Sequence, residues 1–329
     1  MTIPLAPDQL VIHDTSPIVD GSTARESLQR SIELARLGNR LGFRRYWAAE
    51  VHGMRGVASC APAVLAGMVA SRTTSIRVGA GGVLLPYHAP LVVSEQFGTL
   101  EAVHPGRIDL ALGRGAGGPK AAQAAVNGAR DDSVPAFSQS VDEVRAYFRN
   151  EVHENVRSVP GFGNEPQMWL LGSRAESARL AADKRMPYAF GGHYNRSGSE
   201  DAADAYLAAG RGDWAPYLGV WVGVIAADDA DHAEFLAGSY RLRSMSSKLW
   251  GRRMRLPSPE EAAAWRPSGP DEARAFAGAT AGFIIGDGAT VRRELAEFRD
   301  RTRADELIIR TPVHDREAKL RSFALLAGD

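Results

Sequence analysis

Short apolar segments, each ending on glycine, histidine or charged residues, alternate with amphipathic stretches along almost the whole chain. This rhythm limits the fold more than any single motif does. It is clearest between Arg45 and Gly118, where R-Y-W-A-A-E-V-H-G-M, S-I-R-V-G-A-G-G-V-L-L-P and H-P-G-R-I-D-L-A-L-G-R-G-A-G-G follow one another with two helical runs between them. Strands separated by helices pair in parallel, with the helices as crossovers. The carboxyl ends of such strands share one face, and three successive ends here carry residues suited to a common pocket.

The chain in order keeps to this pattern. Residues 10–12 form a strand stopped by His13, Asp14, Thr15, Ser16 and Pro17. Thr23-x-x-Glu26 matches a capping box, and the helix behind it carries Leu28, Ile32, Leu34, Leu37 and Leu41 before Gly42 stops it. Further helices are expected over 62–70, 90–103, 174–184, 200–209 and 229–240, and one bearing Val291, Leu295 and Phe298 follows Gly286-Asp287-Gly288. Strands centre near residues 11, 46, 77, 109, 169, 188, 221 and 308, and eight is the number that closes a (β/α)8 TIM barrel. Residues 115–164 are less regular, with a helix near 141–148, and a mobile lid is expected over 115–140. Residues 241–278, basic and then rich in proline and alanine, read as an insertion. No linker divides the chain, so one domain over 1–329 is expected.

Charge and cysteine content exclude several classes of function. With 39 basic and 39 acidic residues there is no net attraction to nucleic acid or to an anionic membrane, which leaves small molecules and copies of the same chain as partners. Cys60 stands alone, so there is no internal disulfide framework and no cysteine cluster for a metal. The amino terminus has no basic segment leading into an apolar run, and no stretch has the length of a membrane span, so a cytoplasmic location is expected.

Candidate site residues gather at the strand ends. Gly113-Arg-Gly-Ala-Gly-Gly118 has the form G-x-G-x-x-G, but it follows the fourth strand and no acidic strand end follows for a ribose, so it reads as a glycine-rich loop. Within it, Arg114 suits either a phosphate or a neighbouring carboxylate. Ser173-Arg174-Ala-Glu176, with Ser177 beyond it, is either a capping box or a helix start that holds a phosphate. Gly79, Gly81 and Gly82 permit close approach of a flat ligand or a bulge. Glu50 and His52 end the second strand and His193 ends the sixth, where an imidazole is either a structural hydrogen-bonding group or a catalyst. No metal-ligand spacing appears.

Taken together, E-x-H at 50–52, L-L-P-x-H-A-P at 84–90, H-P-G-R-I-D-L-A-L-G-R-G at 104–115, L-L-G-S at 170–173 and A-D-E-L at 304–307 resemble the bacterial luciferase-like flavin monooxygenases over nearly the whole chain. The resemblance implies a barrel that binds FMN non-covalently at its carboxyl face, often as a homodimer. It places Arg114, Ser173, Arg174 and Ser177 at the FMN phosphate, and Gly81-Gly82 at a non-prolyl cis peptide beneath the flavin ring. It implies reduced FMN from a separate flavin reductase, with O2 used to oxygenate a small organic substrate, and His52 and His193 at their strand ends are then the candidate catalytic residues. The alternatives are hydride transfer with FMN or a deazaflavin, and flavin binding without turnover. The chain departs from the family at Val51, where many relatives have a second histidine beside His52.

Overall fold

A computed structural model describes residues 5–115, 118–127, 133–151, 156–191, 198–210, 213–252 and 254–329. In chain order the first half comprises β1 (Leu10–Asp14), α1 (Ala24–Leu41), β2 (Arg45–Ala48), α2 (Pro62–Ala70), β3 (Arg77–Leu84), α3 (Pro90–Val103), β4 (Ile108–Gly113), α4 (Lys120–Asn127) and α5 (Val134–Arg149). The second half comprises β5 (Gln167–Gly172), α6 (Ala175–Asp183), β6 (Tyr188–Phe190), α7 (Ser199–Leu207), β7 (Leu218–Ala227), α8 (Ala230–Trp250), α9 (Pro259–Ala264), α10 (Pro270–Ala277), β8 (Phe283–Asp287), α11 (Gly288–Thr302), β9 (Glu306–Arg310) and α12 (Arg316–Ala327).

All strand pairs are parallel. The sheet runs β6-β5-β4-β3-β2-β1-β9-β7 and closes through β6 on β7, so eight strands make the barrel. These are the eight expected from the sequence. The ninth, β8, was not expected; it pairs with Gly223–Ala227, the carboxyl half of β7, and shares only Gly223 with the part that closes the wall. The insertion expected from residue 241 begins inside a helix, because α8 continues to Trp250, and its remainder contains α9 and α10. The lid region likewise contains α4 and most of the first turns of α5, while residues 116–117 and 128–132 lie outside the described residues.

Alternation along the strands sorts the core into two shells. Tyr46 and Ala48 of β2 face outward into the large apolar layer beneath the helices, with Val78, Leu110, Leu170 and Leu307. Trp47, Val11, Ala111, Trp169, Ala189, Trp221 and Ile308 face inward and fill the barrel. The helices start and stop where their ends demand. In α1, the Thr23 hydroxyl accepts from the Glu26 N–H while Glu26 accepts from the Thr23 N–H, and Gly42 closes the other end at φ +80°.

Candidate active site at the barrel mouth

The site stands on a charged floor. At the amino-terminal end of the barrel Arg45 is 1% exposed. Its Nε donates to both oxygens of Glu306 at 2.7 and 3.0 Å, and its Nη1 donates to both of Asp109 at 2.9 Å. Arg77 also donates to Asp109, Tyr217 donates to Glu306 at 2.6 Å, and the Trp47 indole N–H donates to Asp109 at 3.0 Å. Burial opposes the charge on Arg45, but Asp109 and Glu306 more than offset it and raise its pKa. Two arginines and two carboxylates thus seal this end, and the tryptophans of the inner shell lie above them. Trp47 packs edge-on against Trp169 at 5.2 Å between ring centroids.

At the carboxyl end, the peptide between Gly81 and Gly82 is cis. A Cβ on Gly81 would sit 2.5 Å from the Trp47 ring, and one on Gly82 would sit 2.2 Å from Leu171 and 2.6 Å from the Ala111 carbonyl. The two glycines are therefore dictated first by the barrel wall, whatever lies above it. His13, at the end of β1, donates from Nε2 to the Gly81 carbonyl at 2.8 Å. Its pKa falls from 6.5 to about 4, chiefly through burial and then through the charge of Arg310, so the ring is neutral at pH 7. A neutral ring that donates at Nε2 carries its proton there.

Glu50, just beyond β2, is the hub of the neighbouring part of the rim. It is buried, and Oε1 accepts from Nε2 of both His52 and His88 at 2.7 Å each, while Oε2 accepts from the Leu84 N–H at 2.8 Å. The carboxylate so directs both imidazoles that their Nδ1 atoms are left for other partners. His52 also lies edge-on to Tyr87 at 5.8 Å. The loop after β4 rests on this corner: Gly118, at φ +100°, leaves no room for a Cβ, which would meet the His52 carbonyl at 2.1 Å.

Arg114 and the start of α6 meet at the ends of β4 and β5. Arg114 is partly exposed and lies 3.6 Å from Glu176, outside hydrogen-bonding distance. The expected capping box of Ser173 with Glu176 does not form. The helix begins one residue later, after Arg174, with no side-chain cap on its first N–H groups. Glu176 turns toward Arg114 instead, and the Ser177 hydroxyl donates to the Arg174 carbonyl at 2.6 Å and pairs with the Tyr188 hydroxyl at 2.9 Å. The Arg114 guanidinium and the N–H groups of the first residues of α6, which no side chain caps, are the donors this corner offers a phosphate.

The structure thus brings together Arg114, Ser173, Arg174 and Ser177 on one side and His52 with Glu50 on another, with Gly81 and Gly82 in the wall between. His193 lies outside the described residues. His88 and His13 were not singled out in the sequence, although His88 stands within the L-L-P-x-H-A-P run. Val51 carries no imidazole, but His88 supplies a second one to the same carboxylate from the turn after β3. Among the described residues no group of three or more histidine, cysteine, aspartate or glutamate side chains could hold a metal ion, and no helix is long and apolar enough to cross a membrane.

The family model described as luciferase-like monooxygenase matches residues 10–305. The chain belongs to the luciferase-like monooxygenase family. A luciferase-like monooxygenase of Escherichia coli strain K12 is 38% identical over 95% of this chain and 94% of its own length. The crystal structure of apo-MsnO8 is 34% identical, with a TM-score of 0.89 over 97% of each chain. The oxygenating constituent of 3,6-diketocamphane monooxygenase from the CAM plasmid of Pseudomonas putida, a type II Baeyer-Villiger monooxygenase solved with FMN, is 18% identical with a TM-score of 0.71. It covers 98% of this chain and 97% of its own, and the likeness is one of fold. This luciferase-like enzyme therefore shares its barrel with flavin-dependent monooxygenases.

Proposed function

We propose that this enzyme uses reduced FMN, delivered by a separate flavin reductase, and O2 to oxygenate a small organic substrate at the carboxyl mouth of the barrel. The observation that carries the cofactor reading is the placement of Arg114 beside the start of α6, which no side chain caps, with Glu176 no closer to the guanidinium than 3.6 Å. Arg114, Ser173, Arg174 and Ser177 would hold the FMN phosphate, and the wall at Gly81-Gly82 would bear the ring. When bound, reduced FMN supplies the two electrons with which one oxygen atom enters the substrate and the other leaves as water.

The chain's own residues do the rest. The Arg45–Asp109–Glu306 floor and the tryptophan layer exclude water from below. Glu50 holds His52 and His88 so that either can carry a proton at Nδ1, and His52 is the residue we assign to proton transfer, with His193 as the second candidate. Exposed Val64 and Met68 on α2 and Val92 and Val103 on α3 give two packed helices an apolar outer surface, which supports a homodimer. We read residues 1–329 as one luciferase-like barrel unit, acting in the cytoplasm.

The test is oxygen uptake by the protein with photoreduced FMN in the presence of a panel of organic substrates under 18O2. One labelled oxygen atom in product supports the assignment. Substrate turnover that continues under argon replaces it with hydride transfer, by FMN or a deazaflavin. Flavin binding with no turnover under either gas makes the protein a flavin carrier.

A further inference from the structure

A second cationic group stands at the mouth, far from Arg114. Glu306 and Ile308 of β9 point into the barrel, so Arg310, two residues on, is the inward residue at the carboxyl end of that strand. Its guanidinium carbon lies 5.4 Å from the centre of the Tyr240 ring on α8. Arg243 follows Tyr240 by one helical turn, and burial and then the charge of Arg310 lower its pKa. The same arginine depresses His13, which follows Ile12 where β1 pairs with β9 at Ile309.

Among the described residues neither Arg243 nor Arg310 forms a salt bridge. Of the nearby carboxylates, Asp14 is held by Lys319, Ser31 and Tyr46, Glu234 by Arg241, Glu306 by Arg45, and Asp287 by the N–H groups that open α11. On the Arg243 face of α8, at i−4 and i+3, the hydroxyls of Ser239 and Ser246 are buried without a hydrogen-bond partner among the described residues. Two neighbouring guanidiniums drawn out of water repel each other and lose hydration, a cost that a bound anion offsets. Around the barrel, β4 reaches β9 through β3, β2 and β1 one way and through β5, β6 and β7 the other, so Arg310 stands directly across from Arg114.

We propose that Arg243 and Arg310 form a substrate-anchoring site for the acidic group of an organic acid, a carboxylate or a sulfonate, on the rim facing away from the phosphate site. The assignment rests on the flavin reading above, because it takes the Arg114 side as the cofactor's. Charge-assisted contacts of this kind hold the acid in one orientation and leave its far end toward the centre of the mouth.

The test uses wild type, Arg310→Gln, Arg243→Gln and Arg243→Lys, with and without FMN. FMN affinity is read by fluorescence quenching, and binding of octanoate, octane-1-sulfonate and the neutral octanamide by calorimetry. Wild type should bind at least one acid about 10-fold or more tightly than octanamide. Each glutamine variant should lose about 10-fold or more of that acid affinity with FMN and octanamide unaffected, and Arg243→Lys should retain part of it. Octanamide bound as well as the acids, or no binding of either acid by wild type, overturns the proposal. Loss of FMN affinity in Arg310→Gln overturns it too, by assigning this side to the phosphate. Failure of the flavin reading is separate: it shows as absence of FMN quenching in wild type, whatever the acids do.

Discussion

Replacing His13 with glutamine should remove much of the acid sensitivity of this fold. In the unfolded chain the imidazole takes up a proton below its ordinary 6.5, whereas burial, followed by Arg310, holds it neutral in the barrel down to about 4. The folded pKa is the depressed one, so the unfolded chain binds the extra proton throughout the interval. The contribution of His13 to stability is therefore complete above pH 6.5 and is lost as the pH falls toward 4. At about 1.4 kcal/mol per pH unit, the gap between 6.5 and 4 amounts to about 3 kcal/mol, of which about 2 kcal/mol is gone by about pH 5. Glutamine retains an N–H donor for the Gly81 carbonyl but cannot titrate. Urea unfolding followed by tryptophan fluorescence, at about pH 8 and about pH 5, isolates this group by difference. The variant should lose about 2 kcal/mol less than wild type between the two conditions. Equal losses would refute the argument, since carboxylate titration common to both proteins would then explain the whole pH dependence.

Three further outcomes follow from the site. Arg45→Met should lower unfolding stability by about 3–5 kcal/mol, because it leaves Asp109 and Glu306 buried with an arginine removed; a melting temperature within a degree of wild type would contradict the sealed floor. Arg114→Ala should weaken FMN binding by about 1.5–3 kcal/mol with little change in melting temperature, and undiminished fluorescence quenching would remove it from the phosphate site. His52→Ala should cut product formed per reduced flavin by about 100-fold or more while FMN affinity holds, whereas near-normal coupling would make the histidine structural.

The barrel was legible because its strands repeat one signal eight times, and periodicity and end residues do not depend on distant partners. What escaped were features decided by contacts across the chain. Phe283–Asp287 alternates between half-buried and buried positions beside a long apolar strand, and only pairing with β7 makes it a strand. Ser173-x-x-Glu176 has the spacing of a capping box, yet Arg114, from another strand end, draws Glu176 away and the helix starts later. His88 gains its meaning from Glu50, 38 residues earlier in the chain, and the loss of a histidine at Val51 looks larger in the sequence than it is in the mouth. The sequence assigns Arg45 no role, because neither Asp109 nor Glu306 is near it in the chain.

The extra strand separates two jobs that a plain barrel gives to the same residues. The wall closes through the lower part of β7 with β6 and β9, while β8 pairs only with its upper part and carries Phe283 against Tyr240. That side of the rim is a parapet standing on a finished wall. Its height and lining can be changed through β8 and α8 without reopening a hydrogen bond that closes the barrel, so one scaffold can be refitted for differently shaped substrates at small cost to its stability.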